Sequence, residues 1–122
     1  MATFDDVRRL LGAYPETAES TSYGTPAMKV RKKLIARLWG EREHARDGVD
    51  GTDVLVVLGP GIEEKAALLE AHGPTLFSTP HYDGHGAYLV RLADIDEGLL
   101  ADLLDDAWLA RAPKRLAARV AG

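Results

Sequence analysis

The sequence predicts an α+β domain: an antiparallel sheet of about four strands with helices packed on one face. Three observations carry that expectation. Apolar residues recur at helical spacing in residues 4–14, 62–69 and 95–108. Apolar and polar residues alternate with strand period from Met28 to Trp39. Short connections between successive strands favour antiparallel pairing. The expected element order is α-β-β-β-α-β-α-α.

The first helix is capped by Thr3, with Asp5 and Asp6 in its first turn, where negative charge suits the helix dipole. Phe4, Val7, Leu10, Leu11 and Tyr14 form its apolar face, and Pro15 ends it. Residues 16–26 are rich in turn formers and read as a turn. From Ala27 to Trp39 two strands follow, broken at Arg31-Lys32-Lys33, where a tight hairpin is expected without the usual Asn-Gly chemistry. Gly40 to Thr52 is charged and glycine-bearing and reads as an exposed loop. Asp53 to Leu58 is apolar on both faces, which suits a central strand. Pro60 to His72 is a second helix, stopped by Gly73-Pro74. Thr75 to Gly86 reads as irregular, and Ala87 to Leu92 as a fourth strand. Asp94 or Asp96 caps a third helix with the face Ile95, Leu99, Leu103, Ala107 and Trp108, and Pro113 opens a last one.

The 122 residues fit one domain, 1–122. With no cysteine there is no disulfide, thiolate metal site or cysteine nucleophile. The amino terminus, Met1-Ala2-Thr3-Phe4-Asp5-Asp6, lacks the basic-then-apolar order of a secretory signal. No apolar run approaches the roughly 20 residues of a bilayer span. A cytoplasmic protein without membrane association is therefore expected. Net charge is −4, which argues against attachment to nucleic acid by overall charge. Locally the balance differs. Lys29 to Arg46 holds seven basic residues against two acidic ones, and Arg111 to Arg119 holds four against none. A basic face is thus compatible with an acidic chain. Asn and Gln, the side chains that read adenine bidentately, are absent; Arg can still read guanine.

Strand alternation assigns Met28, Val30, Leu34, Ala36 and Leu38 to the helix-covered face. Lys29, Arg31, Arg37 and Trp39, with Ile35 among them, fall on the opposite one, and Arg91 joins that side if Tyr88, Val90 and Leu92 face the helices. Trp39 amid Lys29, Arg37 and Arg91 could hold an anion or stack a base. The alternative is a solvent face with Trp39 covered by a loop or partner.

Three stretches resemble the MmcQ/YjbR family. They are Glu19 to Arg31 with Lys33 to Leu38, Phe77 to Gly84 with Leu89 to Leu92, and Leu104 to Trp108 with Ala112 to Leu116. They fall in the family's order, and the likeness extends over nearly the whole chain. The resemblance implies a compact fold similar to CyaY-like proteins and a DNA-binding label that names no chemistry. The segment from Glu41 to Gly51 is longer than the family's usual short turn, which leaves the local geometry open.

Two kinds of site are expected. The first is an anion or nucleic-acid surface built from Lys29, Arg37, Arg91, Lys114 and Arg115, with DNA or another anionic ligand as partner. Lys114 and Arg115 stand in a first helical turn, where they oppose the dipole, so local helix stability does not explain them. The second is a small-molecule site between the 22–26 turn and the 79–83 loop, lined by Ser22, Tyr23, Thr25, His81 and Tyr82. A purely structural role for Tyr23-Gly24-Thr25-Pro26 is the alternative. His81, Asp83 and His85 alternate, but Gly84 and Gly86 bend the segment away from a strand, so no metal is expected. Ser20, Ser22 and His81 lack a Gly-x-Ser-x-Gly elbow. Gly59-Pro60-Gly61 lacks a Walker lysine and is followed by Glu63 and Glu64. No catalytic residue and no cofactor are assigned, and a monomer or weak homodimer is expected, with Trp39 as a further candidate contact.

Overall fold

The computed structural model describes residues 1–49 and 52–121. Its elements are α1 (Phe4–Gly12), β1 (Thr17–Ser22), β2 (Thr25–Val30), β3 (Lys33–Leu38), α2 (Glu41–Asp47), β4 (Val54–Leu58), α3 (Ile62–His72), β5 (Leu76–Phe77), β6 (Ala87–Arg91), α4 (Glu97–Arg111) and α5 (Lys114–Ala121), with a short 3-10 turn at Pro80–Tyr82. Among the described residues the strands form one antiparallel sheet in the order β1-β2-β3-β4-β6-β5. The α+β class holds, with six strands in place of about four.

The two extra strands sit at the two edges. β1, Thr-Ala-Glu-Ser-Thr-Ser, is polar on both faces, so it offers no alternation to read, yet it pairs continuously with β2 from Thr17↔Val30 to Ser22↔Thr25. A polar edge strand is what an unpaired ladder edge requires. β5 has two residues, too few for any periodicity. Two-residue turns close both hairpins. Tyr23 and Gly24 have φ of 54° and 76°, and Arg31 and Lys32 have 45° and 70°. Positive φ at both central residues is the type I′ requirement, which Asn-Gly meets most easily. At the second turn Glu16 compensates, accepting from Arg31 Nε at 2.6 Å and from Nη2 at 2.8 Å.

Residues 41–47 also depart from the sequence expectation of a loop. Glu43 reaches back to accept from the Gly40 N–H at 3.0 Å, and Gly48 ends α2 with φ 69°. Those two contacts start and stop a helix that has no buried residue of its own.

One face of the sheet carries the main core. Met28, Val30, Leu55, Val57, Tyr88 and Val90 pack there against Phe4, Val7 and Leu11 of α1, and against Leu100, Leu104 and Trp108 of α4. Leu116 of α5 joins them, and Leu68 and Leu69 of α3 lie against the edge. The alternation in β3 fails at one point. Met28 pairs with Ala36 but Lys29 pairs with Leu34, which leaves Ile35 without a partner. This bulge turns both Ile35 and Ala36 into the core and moves Leu34 to the opposite face, reversing the expected sides of Leu34 and Ile35.

The opposite face is not solvent. Trp39, Val54, Val56, Tyr82 and Leu89 form a second cluster, covered by α2 and the segment around the 3-10 turn. Trp39 is 6 % exposed, 5.1 Å edge-on from the His44 ring and 6.4 Å from the Tyr82 ring. It is therefore unavailable for stacking a base or docking a partner.

Trp108 ties the helix layer to the edge hairpin: its ring lies 4.9 Å from Tyr14, and its Nε1 donates to Thr17 Oγ1 at 2.7 Å. Trp108→Ala is expected to cost about 3–5 kcal/mol in a urea titration. A loss below about 1 kcal/mol would contradict this packing.

Candidate functional site

The second sheet face builds the site. Cross-strand registers put Ala27, Arg37, Val56, Leu89 and Phe77 in one row across it. Arg37 in that row is 7 % exposed, and burying an unpaired guanidinium there would be prohibitive. Glu43 supplies the partner: its Oε1 accepts from Arg37 Nη1 at 2.7 Å and its Oε2 from Nη2 at 2.5 Å. The same carboxylate accepts from Gly40 N and from the Tyr82 hydroxyl at 3.3 Å, while Trp39 Nε1 donates to that hydroxyl at 3.1 Å. Burial pushes the Glu43 carboxyl up. The Arg37, Gly40 and Tyr82 hydrogen bonds outweigh burial and hold it below its ordinary value. Glu43 in turn raises the Arg37 guanidinium.

Above this network lies an open cleft of about 770 Å³ between the Tyr23-Gly24 turn, the start of α2 and the 3-10 turn. Tyr23 stands at its mouth, 88 % exposed, with the Arg37 guanidinium 5.1 Å from the ring centre. Arg42 and Arg46 reach the cleft from α2, four residues apart and so on one side of the helix. Asp47 pairs with Arg46 at 2.8 Å and accepts from Thr79 Oγ1 at 3.0 Å. Arg46 and Thr79 thereby hold the Asp47 carboxyl below the usual carboxylate range. Arg42 is exposed and takes part in none of the ion pairs among the described residues.

The far wall is held by a lysine. Lys65 of α3 is 6 % exposed, and its Nζ donates to the Tyr82 carbonyl at 2.7 Å and the His85 carbonyl at 3.0 Å. Burial lowers its pKa, with Asp83 opposing. Two backbone carbonyls thus anchor the segment that carries His81 and Tyr82. A second, apolar hollow of about 230 Å³ adjoins the cleft, sharing Arg37, His81 and Tyr82. The larger depression, about 940 Å³ near Met1 and His44, has no Lys or Arg in its walls.

Of the small-molecule candidates, Tyr23, Thr25, His81 and Tyr82 line the cleft. Ser22 does not; its carbonyl accepts from Thr25 Oγ1 at 2.9 Å and braces the turn. The five cations of the other candidate surface do not gather. Lys114 and Arg115 belong to α5, in the helix layer, whereas Lys29, Arg37 and Arg91 lie on the opposite sheet face. There Lys29 and Arg91 occupy rows on either side of Arg37, Arg91 lies 4.4 Å over the Phe77 ring, and Arg37 is neutralised by Glu43. His81, Asp83 and His85 do not converge; among the described residues no group of three or more His, Cys, Asp or Glu could hold a metal ion. No described helix is long and apolar enough to cross a membrane. Sequence reasoning missed Arg42, Arg46, Glu43 and Lys65. The Gly40-x-x-Glu43 spacing and Gly48 were the available signal for α2, and α2 makes Arg42 and Arg46 neighbours.

Fold and cleft together define a small antiparallel α+β domain whose second sheet face carries a composite arginine-bearing hollow. A family model described as YjbR matches residues 12–110, and the chain belongs to the MmcQ/YjbR family. It is 37 % identical, over 95 % of its length and 93 % of theirs, to the uncharacterized proteins Rv2570 of Mycobacterium tuberculosis and Mb2600 of Mycobacterium bovis. Its fold is similar to the crystal structure of Deinococcus radiodurans protein DR2400, a DUF419 domain, with a TM-score of 0.68 and 20 % identity, covering 99 % of this chain and 89 % of that one.

Because the Glu43 carboxyl sits below its ordinary 4.5, its contribution to stability is complete above that pH and is lost as pH falls through the lowered value. Thermal melts from pH 6 to pH 3 are expected to show wild type losing more stability than Glu43→Gln over the acid end; parallel curves would contradict the pairing. In Lys65→Met, amide exchange at residues 80–86 is expected to rise about tenfold or more while the strands β2 to β4 stay protected. Unchanged exchange would remove the anchoring role.

Proposed function

We propose that the chain is an anion-binding module whose ligand occupies the cleft between the Tyr23-Gly24 turn, α2 and the 3-10 turn. The observation that carries this reading is Arg42. Among the described residues it takes part in no ion pair, at a cleft whose other arginines are already oriented by carboxylates, and it offers a five-donor fork that matches an incoming carboxylate or phosphate. Of the two acids that line the cleft, Glu43 is neutralised by Arg37, and Glu41 is exposed at the start of α2. Tyr23 adds support. A bulky residue with φ 54° is uncommon, and here it presents an exposed ring at the cleft mouth beside a guanidinium. No catalytic step is assigned to these groups.

This reading places the anion in the cleft rather than across Lys29, Arg37, Arg91, Lys114 and Arg115, and it leaves DNA as a competing ligand to be tested. Calorimetric titration with pyrophosphate and with a short DNA duplex at low salt separates the two. Pyrophosphate binding is expected to weaken with added salt and to fall by at least about tenfold in Arg42→Glu, with no change in Lys114→Glu/Arg115→Glu. The reverse pattern, duplex binding lost with Lys114 and Arg115 and indifferent to Arg42, would replace the cleft reading by a nucleic-acid surface.

A further inference from the structure

We propose that the ligand is a small carboxylate bearing an aryl or branched alkyl group, an inference that rests on the anion-binding reading and names the chemistry of its ligand. The apolar hollow beside the cleft supplies the second half of the site. Leu34, Val56, Leu58 and Ala87 line it together with His85, and Arg37, His81 and Tyr82 line both spaces. Leu34 faces this way only because of the bulge at Ile35; without it the hollow would lose one side. Leu34, Leu58 and Ala87 are half-buried, so apolar surface remains for a ligand to cover.

Size and polarity set the class. A cavity of about 150 Å³ takes benzene, and this hollow, about 230 Å³, takes one ring or a branched chain of similar bulk. A bare inorganic anion fills only the polar space, and a neutral hydrocarbon only the apolar one. A molecule with its ring over Leu34 and Leu58 passes Arg37 on leaving the hollow. Arg37 already directs Nη1 and Nη2 at Glu43, so the acid group continues into the cleft, where Arg42 takes part in no ion pair among the described residues. Charge-assisted, bidentate contact is available there. Lys65 keeps the shared wall in place by holding the Tyr82 and His85 carbonyls, so the junction is formed before the ligand arrives.

The test uses the full chain, backbone-assigned by NMR, titrated with 3-phenylpropionate, acetate, 3-phenylpropanamide and pyrophosphate. The expected result is that 3-phenylpropionate binds at least about tenfold more tightly than either acetate or the amide, shifting Leu34, Leu58 and Arg42 together. Leu34→Asp is expected to weaken 3-phenylpropionate by about tenfold or more while pyrophosphate affinity stays within about twofold. Leu58→Ala, a milder change, is expected to weaken it in the same direction. If 3-phenylpropionate binds no better than acetate while pyrophosphate binds normally, the organic-acid inference falls and the anion reading stands. If neither binds, both fall. A separate groove lies between α1 and α4, lined by Leu10, Tyr14 and Leu104, and shifts confined to it would also overturn the inference.

Discussion

The site depends on one buried ion pair. Arg37 stands in the middle of the sheet face, where a lone guanidinium could not remain, and Glu43 meets both ends of its fork. The two charges are drawn from different elements, β3 and α2, so satisfying them fixes where α2 lies. Such pairs add little net stability, because desolvation offsets attraction, but removing one partner typically costs about 3–5 kcal/mol. What the pair specifies is position. The same carboxylate caps α2 through Gly40 and receives the Tyr82 hydroxyl, so one side chain locates the helix, the strand and the 3-10 turn together.

From that constraint the second cluster follows. α2 has no buried residue and could not hold itself to the sheet by apolar contact alone. With Glu43 pinned, Trp39 is enclosed between His44, Phe77 and Tyr82, and its indole N–H finds a partner on Tyr82. The sheet therefore has an apolar core on one face and a smaller, mixed one on the other. The boundary of the mixed one, where polar and apolar walls meet, is where the two hollows adjoin.

The main helices and the central strands were legible in the sequence because their apolar periods are long and regular. Phe4, Val7 and Leu11 mark α1, and Val54 to Val57 mark a strand buried on both faces. β1 was not, because Ser and Thr carry the same sign in an edge strand as in a loop. β5 was too short to have a period. The bulge at Ile35 defeats any reading by alternation, since one inserted residue exchanges the faces on either side of it. The turn at 22–26 and the loop at 79–83 were legible as polar, aromatic segments in need of a purpose. Arg42 and Lys65 were not: a surface arginine and a helical lysine look ordinary until the chain folds Lys65 beneath two carbonyls and leaves Arg42 in no ion pair among the described residues.

The Tyr23-Gly24 turn sets conformational ease against display. Asparagine tolerates a left-handed backbone far better than tyrosine does, so an Asn-Gly pair would close the same hairpin with less torsional cost. That economy would also strip the aromatic lip from the cleft and leave the Arg37 guanidinium without its ring. Hairpin optimisation by turn statistics alone would thus improve the scaffold while erasing the feature that gives the cleft its mouth.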